Sequence, residues 1–95
     1  MSNTIDKIKQ HKKMCEKLNE IYHQKNTAYG DSFGETYSKL GIISAATRIS
    51  DKYNRFINLA THTNIDIGDE SIKDTLIDMA NYCLMTVMEL ENNHE

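Results

Sequence analysis

Arg48, Asp51, Lys52 and Arg55 stand at i, i+3, i+4 and i+7, so on a helix they line one stripe. Three cations on one stripe repel, and Asp51 relieves part of that repulsion by pairing with Arg48 and Arg55, which makes a solvated salt-bridge ladder one reading. The second reading is an anion site. One turn earlier the same stripe carries Gly41, Ser44 and Ala45, small residues that would leave a trough leading to the cations. The planar fork of arginine makes two parallel hydrogen bonds to a phosphate.

Asp74, Asp78 and Asn81 repeat at i, i+4 and i+7. Two acids one turn apart can share a Mg²⁺, an ion that takes carboxylates, waters and substrate phosphates as ligands. The same acids also suit the positive end of a helix, or pairing with Arg48 or Arg55 across a bundle. Asp69 and Glu70 read as ordinary acids of a helix N-terminus. A third cluster, Lys25 to Gly34, gathers a cation, two aromatics, two glycines and Asp31 within ten residues. It reads either as a base- and ribose-binding loop led by Lys25, Tyr29 and Asp31, or as a helix C-cap followed by a turn. The chain has no Walker loop, dinucleotide fingerprint or paired cysteines, and His11, His23, His62 and His94 lack metal-ligand spacing. No residue is assigned a catalytic role.

The elements that must position these groups are helical. Apolar residues Ile5, Ile8, Cys15, Leu18, Ile21 and Tyr22 predict a first helix from about Asn3 or Thr4 to Thr27. A second, Glu35 to Ala60, carries a seam of Ile42, Ala46, Ile49, Tyr53, Phe56 and Ala60. A third, Asp69 to Glu91, repeats the rhythm with Leu76, Ala80, Cys83, Val87 and Leu90. No segment alternates as a strand does. The expected fold is all-α: three long helices, with loops at 28–34 and 61–68, in one domain spanning 1–95. Gly41 falls inside the second helix, where it costs about 1 kcal/mol relative to Ala unless close packing or a ligand requires it. Cys15 and Cys83 fall on apolar stripes and read as buried thiols, which suits a reducing compartment.

Composition sets the limits. The apolar fraction of 39% is low against roughly 45 to 50% for globular domains, so a lone chain has a thin core and association is the expected supplement. The net charge is -3, whereas a nucleic-acid binder of this size is normally basic. Charge is graded along the chain. Residues 1–30 carry six lysines against three acids, and residues 61–95 carry Lys73 against eight acids. Complementary ends fit antiparallel helix packing or contact between subunits. No apolar run is long enough for a leader peptide or a membrane span. The expectation is a cytoplasmic protein with neither a nucleic-acid nor a membrane partner.

Three runs together resemble a known family: Tyr29-Gly30-Asp31-Ser32-Phe33, then Arg48 to Arg55, then Gly68-Asp69-Glu70 with Asp74 to Tyr82. In order and spacing, over roughly residues 20–90, they look like the phage and prophage nucleotide-modification-associated domain. That family in turn resembles the MazG-like all-α nucleoside triphosphate pyrophosphohydrolases, which hold Mg²⁺ with a Glu-x-x-Glu pair on one helix and a Glu-x-x-Asp pair on another. The resemblance implies a MazG-like bundle completed by oligomerisation and a phage-encoded protein in the host cytoplasm. Here the first pair is replaced by Leu40-Gly41-Ile42-Ile43-Ser44-Ala45-Ala46, without an acid, and the second survives loosely as Asp74 and Asp78. Metal-assisted hydrolysis then lacks its usual charge logic.

The resulting expectation is a homo-oligomeric binder that sequesters a nucleotide or a nucleotide-derived immune signal, a sponge serving anti-defence. Its ligand-binding residues are Lys25, Tyr29, Asp31, Arg48, Asp51, Lys52 and Arg55, and it needs no cofactor. The alternatives are a Mg²⁺-dependent pyrophosphohydrolase using Asp51 with Asp74 and Asp78, and a helical module that binds a host protein through its acidic third helix.

Overall fold

A computed structural model describes residues 5–62 and 68–92, with 68–70 described as backbone only. The expected helix start at Asn3 or Thr4, most of the 61–68 loop, His94, and the side chains of Asp69 and Glu70 lie outside the described residues. Among those described, every element is an α-helix: α1 (Lys7–Tyr29), α2 (Ser32–Leu40), α3 (Ile42–Thr61) and α4 (Gly68–Asn92). The chain forms two compact units, Met1–Gly30 and Asp31–Glu95.

The first unit is α1. Asp6 caps it, its carboxylate accepting from the backbone N–H of Ile8 at 3.1 Å and of Lys9 at 3.2 Å, which satisfies donors that the first turn leaves open. Gly30 ends it at φ +72°, donating its N–H to the Asn26 carbonyl at 2.7 Å. The helix therefore runs to Tyr29, past the expected Thr27.

The second unit holds α2, α3 and α4, and corrects the expectation of three helices. The stretch expected to be continuous from Glu35 to Ala60 breaks at Gly41, which has φ +75° and ψ -161°. That positive φ is a conformation side-chain-bearing residues rarely adopt. Nothing lies within 4 Å of where a Cβ would stand, so the glycine serves the turn itself and not close packing. Gly41 donates to the Tyr37 carbonyl at 2.7 Å, closing α2, and accepts from the Ser44 backbone at 3.0 Å, opening α3. The predicted 28–34 loop shrinks to Gly30 and Asp31, because Asp31 caps α2 by accepting from the Gly34 N–H at 3.1 Å. A side chain on Gly34 would run into that carboxylate, its Cβ falling 2.8 Å from the Asp31 Cγ.

The apolar core of this unit is small. Phe33 and Tyr37 of α2 and Ala45 of α3 are buried, with Tyr82 and Met85 of α4 packed against them. Ala45 is 1% exposed, so it does not line an open trough ahead of Arg48 but sits where the helices meet, while Gly41 and Ser44 stay half-buried. The expected seams stay largely exposed within the chain: Ile42 and Tyr53 on α3, Leu76, Val87 and Leu90 on α4. Cys15 and Cys83 are exposed as well, against the expected burial.

Candidate functional site

The polar stripe of α3, rather than its apolar one, meets α4. Ala45 packs in the cluster joined by Met85, the Arg48 guanidinium carbon lies 5.9 Å from the centre of the Tyr82 ring, Lys52 Nζ meets Asp78 Oδ2 at 2.9 Å, and Arg55 Nε donates to Thr75 Oγ1 at 3.1 Å. Steps of three, four and three along α3 are matched by the same steps backwards along α4. The two helices are therefore antiparallel in one register, and each cation has an assigned partner. Arginine and lysine suit such a seam because their stems pack while their heads stay polar.

The partners differ in kind. Lys52 is neutralised by Asp78, both about a quarter exposed (26% and 23%). Arg48 has none of this. Its guanidinium lies 5.9 Å from the ring centres of both Phe33 and Tyr82, and those rings stack 5.9 Å apart with planes at 16°. Each face of an aromatic ring is electronegative, so the pair holds the cation without cancelling its charge. Among the described residues Arg48 has no ion-pair or hydrogen-bond partner, although it is half-buried. Asp51 pairs with neither arginine, so the salt-bridge ladder expected along α3 is not formed. Arg55 is exposed and anchored through Nε, and its anchor is fixed in turn: Thr75, 2% exposed, donates its hydroxyl to the Ser71 carbonyl at 2.8 Å.

Arg48, Asp51, Lys52 and Tyr82 line an open cavity of about 370 Å³. It offers an uncompensated guanidinium, an ion-paired ammonium, a carboxylate and a phenol ring: donors for an anion, an acceptor for a hydroxyl or amine, and an aromatic edge.

Four of the expected ligand residues, Arg48, Asp51, Lys52 and Arg55, thus share the α3 stripe facing α4. Asp31 belongs to the same unit, where it caps α2. Lys25 and Tyr29 belong to the other unit, at the end of α1. The two acids considered for Mg²⁺ have different surroundings: Asp78 holds Lys52, Asp74 is exposed, and Asn81, expected beside them, is buried. A metal at Asp78 would have to displace the ammonium. Among the described residues no three His, Cys, Asp or Glu side chains gather in a metal-holding cluster.

Sequence reasoning missed Phe33, Thr75 and Tyr82 as site residues. The signal for two of them was present: Thr75, Asp78 and Tyr82 repeat the spacing of Arg48, Lys52 and Arg55 in reverse. Phe33 carried no such mark.

Among the described residues the protein is all-helical, and its α3–α4 seam joins an arginine on an aromatic pair to a carboxylate and a lysine beside an open cavity. The family model described as nucleotide modification associated domain 1 matches residues 25–90, and the chain belongs to that family. No curated protein and no solved structure matches it. No helix among the described residues is long and apolar enough to cross a membrane.

Proposed function

We propose that this protein binds a phosphorylated nucleotide or nucleotide-derived signal in the α3–α4 seam and holds it without chemical change. The observation that carries the reading is Arg48: a half-buried guanidinium held by two rings, with no acid or hydrogen-bond acceptor among the described residues spent on it. Keeping such a charge poised beside a cavity favours an anion from outside. The family's description as a nucleotide modification associated domain supports a nucleotide phosphate as that anion. Retention without turnover follows from the acids: α3 offers no carboxylate pair, and the Asp78 carboxylate is engaged by Lys52. The protein then acts as a sponge in the cytoplasm, and its resemblance to phage and prophage proteins makes an immune signal of the host the fitting cargo.

The same reading makes it a homo-oligomer. Three buried apolar residues form the core of the second unit, while Ile42, Tyr53 and Ile57 on α3 and Leu76, Val87 and Leu90 on α4 remain exposed. A core this thin stabilises a single chain poorly, and a second copy of the same face is the self-complementary cover.

The test is incubation with a nucleotide panel and Mg²⁺, followed by denaturation and chromatography of the released ligand. The expected result is intact nucleotide recovered with the protein. Turnover of about 1 per second or faster, lost in Asp78→Asn, would establish a pyrophosphohydrolase instead. Light scattering should show more than one 10.9 kDa chain per particle at micromolar concentration; a monomer overturns the oligomer.

A further inference from the structure

Arg48 and Arg55, neither with an acid partner among the described residues, stand at opposite ends of the seam. Arg48 and Arg55 are seven residues apart on α3, a rise of about 10 Å along the axis. Their anchors, Tyr82 and Thr75, are seven apart on α4; Arg48 lines the cavity, and Arg55 lies about one turn beyond Lys52 at an exposed position. Neither anchor is charged. Between them the seam is not cationic: Lys52 is neutralised by Asp78, and Asp51 brings a carboxylate that has no ion-pair partner among the described residues. Read from end to end, the pattern is positive, then neutral to negative, then positive.

We infer that the seam selects a ligand with two phosphates on opposite sides of a sugar, as in a nucleoside 3′,5′-bisphosphate or a dinucleotide, over one with a contiguous polyphosphate. This rests on the nucleotide reading above. A triphosphate reaching from Arg48 to Arg55 lays its charge against the Asp51 carboxylate with the Lys52 ammonium already taken by Asp78, and like charges at close range repel in a partly desolvated seam. A ribose between two phosphates puts its one free hydroxyl, the 2′-OH, there as a donor, and an ionised carboxylate such as Asp51 is an acceptor only. Each phosphate then meets one arginine fork. Specificity arises from the repulsive middle as much as from the attractive ends.

The experiment is calorimetric titration of the full chain, with chelator present, against the four nucleoside 3′,5′-bisphosphates and their matched 5′-monophosphates and 5′-triphosphates. At least one bisphosphate should bind tenfold or more tighter than its matched monophosphate and triphosphate. Arg55→Ala, at an exposed position, should bring the bisphosphate down to the affinity of the monophosphate and leave the monophosphate within twofold. Asp51→Asn should strengthen triphosphate binding more than bisphosphate binding, a change that general loss of structure does not produce. A triphosphate that binds as tightly as the bisphosphate overturns this inference and leaves the nucleotide reading standing. Binding of no compound in the panel overturns both.

Discussion

Along α3, Arg48, Lys52 and Arg55 meet a ring, a carboxylate and a hydroxyl of α4, while Ile42, Tyr53 and Ile57 of the same helix stay exposed. The ordinary arrangement is the reverse, with the apolar stripe inward and the charged one in water. Two consequences follow. The charged seam is held by specific partners, so its geometry is set before any ligand arrives, which lowers the cost of ordering the site on binding. The apolar stripe stays exposed within the chain, and large exposed apolar patches mark interaction surfaces. The proposed ligand recognition and the proposed assembly thus fall on different faces of one helix, and substitutions should separate them.

The largest effect belongs to the buried end of the inward face. Phe33 is 5% exposed, stacks on Tyr82 and supports Arg48. Phe33→Ala should cost about 3 to 5 kcal/mol, close to the whole stability of so small a core; urea unfolding followed by circular dichroism measures it. A loss below about 1 kcal/mol would mean that the inward face is not what holds α2 to α3 and α4.

The outward face is broken next. Val87→Asp places a charge on the exposed apolar stripe of α4 and should shift the oligomer to monomer in sedimentation while helicity is retained. An unchanged sedimentation coefficient would remove this stripe from the interface.

Tyr82 then sharpens the inward face. A cation–π contact is worth about 0.5 to 2 kcal/mol, so Tyr82→Leu should weaken nucleotide binding about threefold to thirtyfold, whereas Tyr82→Phe, which keeps the ring, should stay within about twofold of the parent. Equal losses in both variants would point to the phenol oxygen instead of the ring.

The smallest effect tests local geometry. Gly34→Ala forces a Cβ against the capping Asp31 carboxylate, and loss of an N-cap costs about 1 kcal/mol. Thermal unfolding should show that loss, and Asp31→Ala in the Gly34→Ala background should add little to it.

Much of the fold was legible in the sequence, and the misses have identifiable causes. The all-helical class followed from period-3.6 patterns with no alternating segment, and the end of α4 from where its pattern stops. The break at Gly41 was hidden because the apolar spacing runs on through it, so the pattern alone does not show a backbone turn; a glycine costing about 1 kcal/mol in mid-helix was the one available sign. Both cysteines looked buried because their stripes looked like core, and a stripe does not say whether it meets its own chain. The cation stripe of α3 was readable from spacing. Its partners were not, because they depend on the register of α3 against α4, which no local pattern fixes. Tyr29 drew attention as an aromatic beside glycine, and the ring that borders the cavity is Tyr82.

The central claim is that Arg48 is kept for a nucleotide phosphate. Calorimetric titration of the parent and of Arg48→Ala with the tightest-binding nucleotide of the panel tests it directly. A charge-assisted hydrogen bond contributes about 1.5 to 3 kcal/mol, so the variant should bind at least about tenfold more weakly with its helical spectrum unchanged. Equal affinity of the two proteins would contradict the account and move the site off the α3–α4 seam.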